Sequence, residues 1–271
     1  MADRPGARGS SAPASGPKGL ADSYEEIYER ASAIAQQTDP SEVLFFADLV
    51  PKGSKLRILD IGCGEGKLSV LLAQRGHDVT AMDVSEGFLE QARCLAKKNA
   101  VTLRTIRMNV ENAEPTLPEE KFDVIYLMDV IEHLKAPITG LRNIRSMLKD
   151  GGILLVHTPN VFTPSRFANY LKNPHNLTDF SNPKNIGDLH LQTYDFVTLE
   201  KTLAFSGFKV LQVVPTKLTL PVLFRFHSRA ADRLFRRASR RFPKFSDTLL
   251  LRCGKASQVD FDIVLASWAK P

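Results

Sequence analysis

Residues 55–83 read KLRILDIGCGEGKLSVLLAQRGHDVTAMD, and the reading of the whole chain turns on this stretch. Residues 55–61 form a short apolar run bounded by a glycine turn, the pattern of a buried strand. Gly62, Gly64 and Gly66 then let the backbone turn sharply and leave no side chain between it and a ligand. A helix is expected over 67–75, with its free N–H groups at the turn. The strand HDVTAMD follows and ends on Asp83, where a carboxylate can accept hydrogen bonds from both hydroxyls of a ribose. The spacing is GxGxG, which differs from the GxGxxG of dinucleotide binders, and no Lys-Ser pair follows as in a phosphate-binding loop.

Outward from this unit, strands and helices alternate. A helix is expected over 85–98, strands over 101–108 and 122–128, a helix over 138–148 and a strand over 151–158. A helix over 198–205 stops at Gly207, and FKVLQVV (208–214) and VDFDIVLASWA (259–269) supply two further strands. Strands alternating with helices of about ten residues or more imply right-handed βαβ units and a parallel sheet covered on both faces. The expected fold is therefore α/β, a doubly wound Rossmann-like sheet.

The domain reading assigns residues 1–22 to a disordered tail, because Gly, Pro, Ser and Ala dominate and the apolar core of a secretory signal is lacking. Residues 23–54 form a helical cover, with Tyr24, Ile27, Tyr28, Ala31 and Ile34 at helical spacing and a second helix starting near Pro40. Residues 55–271 form the α/β domain, with an Asn-, Pro- and Ser-rich insertion over 160–190 of the kind that serves as a lid or binding loop. A basic helical segment over 222–255 precedes the last strand.

Bulk composition narrows the class. The 271 residues suit one domain with additions, and no run approaches the roughly 20 apolar residues that span a bilayer. Three dispersed cysteines argue against a disulfide framework or a zinc site and fit a reducing, cytoplasmic setting. The net charge of +6 permits anionic partners without requiring them.

Three blocks together, ILDIGCGEGKLSVLLAQRGHDVTAMDVSEGFLEQA, FDVIYLMDVIEHLKAP and GGILLVHTPN, make the sequence similar to the class I S-adenosylmethionine-dependent methyltransferases. The resemblance is nearest to the branch that holds the ubiquinone-biosynthesis O-methyltransferases, and it covers residues 55 to 215. It implies seven strands, the last antiparallel, with the hairpin 208–214 and 259–269 at one edge. It implies that Gly62 and Gly64 pass under the methionine part of the cofactor, with Asp60 ordering the turn. Asp83 would hold the ribose, Val84 would lie against adenine, and Met128 would line the methionine end. Asn109 and Val110 fall where the family has an acidic residue facing the adenine amine; an amide oxygen accepts the same hydrogen bond.

Methyl transfer to a hydroxyl needs positioning and a group that takes a proton. In open parallel sheets the site lies beyond the carboxyl ends of the strands. His133 is the first candidate base and His190 the second, since an imidazole titrates near neutrality. His157 reads as a core histidine, and Thr158, Asn160, His175, Asp188 and Tyr194 complete the candidates. Asp129, Glu132 and His133 occupy i, i+3 and i+4 and would share one face of a helical turn. Related families carry a divalent metal on a similar cluster, although the first position there is Glu where this chain has Asp129.

Arg225, Arg229, Arg233, Arg236, Arg240 and Lys244 recur about every four residues beside an apolar face. This is a basic amphipathic helix, suited to an anionic membrane surface or solvated on the core. The chain lacks the aromatic-interleaved signature of RNA binders. A PN-containing loop, then HL and an aromatic, then a helix ending in GF resembles some bacterial methyltransferases that act on glycans and envelope lipids. The leading expectation is O-methylation of a small-molecule, glycan or lipid-linked acceptor, by a cytoplasmic protein peripheral to the membrane. The alternatives are an RNA or protein methyltransferase that holds its polymer on the basic face, and a catalytically inactive cofactor-binding partner protein.

Overall fold

In a computed structural model, residues 40–112, 121–172, 190–218 and 237–257 are described, all within the unit Gln36–Pro271. The expected tail, the helix over 23–37, residues 173–189 of the insertion with His175 and Asp188, the basic helix over 222–236 and the strand over 259–269 lie outside them.

The described elements are α1 (Pro40–Ala47), β1 (Arg57–Ile61), α2 (Lys67–Gln74), β2 (Asp78–Asp83), α3 (Glu86–Lys98), β3 (Arg104–Arg107) and β4 (Phe122–Met128). A 3-10 turn (Ile131–His133), α4 (Pro137–Met147), β5 (Leu148–Pro159), α5 (Pro164–Lys172), α6 (Phe196–Phe205) and β6 (Phe208–Val214) follow. A second 3-10 turn (Pro243–Phe245) and β7 (Thr248–Lys255) end the series. The seven strands form one sheet in the order β3-β2-β1-β4-β5-β7-β6. The pairs among β1 to β5 are parallel, and β7 runs antiparallel to both β5 and β6. Strand order reverses between β1 and β4, so a crevice opens at their carboxyl ends.

Side chains alternate across the sheet and separate two apolar layers. Leu59, Ile61, Ile125 and Leu127 lie in one layer with Leu141 and Ile144 of α4 and Leu199 and Leu203 of α6. Ile58, Val124 and Tyr126 lie in the other with Val43 and Phe46 of α1 and Leu68 and Leu72 of α2. Side-chain caps set the starts of α3 and α6. The Ser85 hydroxyl accepts from the Phe88 N–H at 3.3 Å, and Asp195 accepts from Val197 N–H at 2.7 Å and Thr198 N–H at 3.0 Å.

One expectation fails at the sheet edge. The partner of β6 is Thr248–Lys255, in the range read as basic helix, and the described part of that range is helical only over 237–241. The physical reason is burial on both faces. Leu249, Leu250, Leu251 and Cys253 are all fully buried between β5 and β6, so the period-two signal of a half-exposed strand disappears from TLLLRCGK.

Candidate active site

Beyond β1, Gly62, Gly64 and Gly66 all take positive φ, at 70°, 51° and 77°. The turn is held from the next strand: the N–H groups of Gly62 and Cys63 donate to Met82 O at 2.8 and 3.1 Å. A Cβ on Gly62 would lie 2.2 Å from Val130 Cγ2, so this position is packed against the segment after β4. A Cβ on Gly64 would meet nothing within 4 Å, so the turn faces open space there. Gly64 N–H donates to Asp83 Oδ2 at 3.0 Å, and Ser85 N–H donates to Asp83 Oδ1 at 2.9 Å. Asp83 is buried, and burial pushes its carboxyl above the ordinary value although three backbone N–H groups work against that. With about four lone-pair sites, the carboxylate can take a further donor beside these N–H groups.

Asp60 lies beneath this turn. Its Oδ2 accepts from the Ser69 hydroxyl at 2.6 Å, so it ties β1 to α2. Burial raises its carboxyl to about 6. At the end of β3, Met108 N–H donates to Asp83 O at 3.0 Å, which brings the exposed Asn109 beside Asp83. Asn109 Oδ1 accepts from Glu111 N–H at 2.9 Å, whereas Val110 is buried in the core. Val84 is half-buried after β2, and Met128 ends β4 against the α1 layer.

The segment after β4 does not form the helical turn that the spacing suggested. Asp129 has φ +52°, in the left-handed region, and only Ile131–His133 make a 3-10 turn. Asp129 is thereby turned away from Glu132 and His133: its Oδ1 lies 2.9 Å from His157 Nδ1. His157 is buried edge-on to Phe46 of α1, at 5.0 Å between ring centroids. Burial works against charge on this ring, but the Asp129 carboxylate beside it raises its basicity overall.

His190 takes the place expected for Asp129. Glu132, His133 and His190 bring one ligand atom each within 4.8 Å of one another. The two rings stand 4.9 Å apart at 58°. Glu132 is only 1% exposed. Its Oε2 accepts from the Thr158 hydroxyl at 2.9 Å, while Oε1 lies 3.8 Å from His190 Nε2 and has no hydrogen-bond partner among the described residues. Burial, and then the charge of Asp129, push the Glu132 carboxyl up to about 7. Gln192 N–H donates to Glu132 O at 2.9 Å and fixes the returning chain against the 3-10 turn. The cluster is one short step from the glycine turn, since His133 N–H donates to the carbonyl of the same Val130 that packs on Gly62.

Other candidates hold the frame. Asn160 is fully buried and its Nδ2 donates to Lys244 O at 3.1 Å and Ser246 O at 2.8 Å. Tyr194 is bridged to Asn160, with its hydroxyl buried. Ser69, Val130 and Phe46 support the site without having been expected there; only Ser69, two residues into α2 and nine after Asp60, carries a signal in the form of a hydroxyl near a buried acid.

A family model described as a methyltransferase domain matches residues 25–213. The ubiquinone biosynthesis O-methyltransferase of Histophilus somni (strain 2336) is 32% identical over 127 residues, 46% of this chain and 53% of that protein. The protein of the same name from Rickettsia canadensis (strain McKiel) is 31% identical over 150 residues, 52% of this chain and 62% of that protein. The chain thus spans between about half and two thirds of the length of these curated relatives. Among solved structures, magnesium protoporphyrin IX methyltransferase from Synechocystis PCC 6803 with bound S-adenosylhomocysteine has a similar fold. The TM-score is 0.56 at 17% identity, over 88% of this chain and 98% of that one.

Proposed function

This chain belongs to the class I S-adenosylmethionine-dependent methyltransferases, and from that premise we propose that it methylates a hydroxyl oxygen of a small-molecule, glycan or lipid-linked acceptor. The observation that carries the reading is the Glu132–His133–His190 cluster, joined through Val130 to an open glycine turn. The residues of that turn fit the cofactor. Gly64 leaves room, Asp83 is placed for the ribose, and Asn109 beside it offers an amide to adenine. Asp60 supports the turn from below, and Val84, Val110 and Met128 bound the cleft.

S-adenosylmethionine, when bound, supplies an electrophilic methyl on a sulfonium. His133 or His190 would take the proton that the acceptor hydroxyl releases when its oxygen receives that methyl. Glu132, buried behind the rings, favours the imidazolium that forms. A divalent cation also fits the donor set, because Glu132 Oε1 is buried beside two imidazoles with no hydrogen bond from the described residues. Glu132, His133 and His190 would hold it, without Asp129, and it would polarise the acceptor hydroxyl.

A polymer acceptor, RNA or protein, is the second reading, favoured by the exposed Arg237, Arg240, Arg241 and Lys244. A cytoplasmic site of action agrees with the three free cysteines, and no helix among the described residues is long and apolar enough to cross a membrane.

The test is titration of the protein with S-adenosylhomocysteine, beside Asp83→Ala, followed by transfer assays with labelled donor on lipid and glycan extracts. The expected result is micromolar binding weakened about 10- to 100-fold in the variant, plus an alkali-stable labelled product. No binding by the intact protein would overturn the reading. Binding without transfer to any acceptor would make the chain a cofactor-binding partner protein.

A further inference from the structure

The end of β5, the helix α5 and the 3-10 turn before β7 meet on one face of the molecule. Asn160 joins them through its hydrogen bonds to Lys244 O and Ser246 O, and the Phe162 and Phe245 rings stand 5.9 Å apart. This face is unusually apolar for exposed surface. The three most exposed phenylalanines among the described residues are Phe162 at 62%, Phe167 at 59% and Phe242 at 52%. Leu171, 67% exposed, lies one turn along α5 from Phe167, so the two form a stripe on the same helix face. Clustered apolar surface of this kind marks an interaction site.

Charge decides which kind. Arg166, Arg237, Arg240, Arg241 and Lys244 are all exposed, and neither residues 160–172 nor 237–246 contain an acidic residue. The Arg241 guanidinium lies over the Phe242 ring at 5.5 Å, and Lys244 Nζ lies over Phe196 at 3.8 Å, so cations and rings share the face. Exposed aromatic and aliphatic side chains alternate along these segments with exposed cations, which complements a lipid surface with anionic headgroups over an apolar interior. A phosphate backbone alone would leave the Phe167–Leu171 stripe in water.

We propose that this face docks on an anionic bilayer, with Phe162, Phe167, Leu171 and Phe242 entering the headgroup boundary and the arginines and Lys244 resting on the phosphates. Arg240 and Lys244 belong to the basic segment expected over 222–255, whereas Phe162, Phe167 and Leu171 come from the stretch after β5. Its position gives it a use. Thr158, which bonds Glu132, lies four residues before Phe162, and Val161 N–H donates to Tyr194 O at 2.9 Å beside the histidine cluster. Docking would bring that cluster near the membrane surface.

Flotation of the full chain with phosphatidylcholine vesicles and with equimolar phosphatidylcholine–phosphatidylglycerol vesicles tests this directly. The protein is expected to float with the anionic vesicles and to stay below the neutral ones. Phe162→Ser with Phe167→Ser, and separately Arg240→Glu with Arg241→Glu, should each weaken partition about ten-fold or more. Both variants should keep the S-adenosylhomocysteine affinity of the parent, which shows that they are folded. If the serine pair loses that affinity, Leu171→Gln alone takes its place in the same assay, with a smaller expected loss. Equal partition to both vesicle types, variants that float like the parent, or retention on nucleic acid or a soluble protein with none on vesicles would overturn the proposal.

Discussion

The cofactor half and the acceptor half of the cleft sit at the ends of neighbouring strands, yet they are assembled in different ways. The centre of the cofactor half comes from one continuous stretch, Asp60 to Asp83, where a turn and two strand ends close on each other through bonds such as Gly64 N–H to Asp83, while Asn109 and Met128 join it from after β3 and the end of β4. The acceptor half draws Glu132 and His133 from the end of β4, Thr158 from β5 and His190 from the chain that returns to the sheet. A local unit can be specified by spacing. A long-range cluster depends on strand order and on how a returning segment is pinned, here by Gln192 N–H to Glu132 O. The general lesson is that a conformationally demanding motif advertises itself in sequence, whereas a site made of ordinary side chains does not.

The two halves should separate most sharply in function. His133→Ala and His190→Ala are expected to lower turnover by about 10²- to 10⁴-fold while leaving S-adenosylhomocysteine affinity unchanged. Single-turnover transfer with labelled donor, beside calorimetric titration, reads both quantities. A variant that instead lost cofactor affinity would erase the division between the halves.

Next in size are the glycines. Gly62→Ala combines a left-handed backbone with an impossible contact to Val130, and should cost about 3 kcal/mol in urea unfolding. Gly64→Ala carries the backbone strain alone and should cost about 1 kcal/mol. Since Val130 belongs to the segment that leads to His133, only the first substitution should also lower turnover in excess of its effect on binding. Equal costs would mean that the turn does not lean on the acceptor half.

Asp60, beneath the turn, gives the cofactor half a pH dependence. Its folded carboxyl titrates at about 6, above the unfolded value near 4, so ionisation is harder in the fold. The resulting destabilisation is absent below pH ~4, grows as pH rises to about 6 and is constant above, and it reaches roughly 3 kcal/mol. Asp60→Asn keeps an acceptor for Ser69 and should show a flatter stability profile over that window in urea titrations. Parallel profiles for the two proteins would remove Asp60 as a titrating group beneath the turn.

Legibility in the sequence followed the same division. The boundaries of β4 and β6 agree with the spans read from FDVIYLM and FKVLQVV, because apolar runs between turn residues are local signals. The helix α6 begins two residues before the expected start because Asp195 caps it, a signal present but not weighed. The strand β7 differs from the expected partner of β6 because burial on both faces erases its alternation, whereas the stretch 259–269 opens with alternating apolar and acidic residues and continues as an apolar run. Of the residues read as a metal-type cluster, Glu132 and His133 come together, and Asp129 does not because its backbone enters the left-handed region and its carboxylate turns to His157.

The sequence alone determined the glycine turn, the acidic end of β2 and the order of strands and helices around them. Backbone freedom at Gly62 and Gly64, and the apolar periodicity of each element, are properties of a few consecutive residues. Only the tertiary structure decided that Glu132 is buried against Thr158, that His190 rather than Asp129 joins it, and that β7 closes the sheet between β5 and β6. Burial and pairing between segments tens of residues apart depend on which faces meet, and no local pattern of side chains records that.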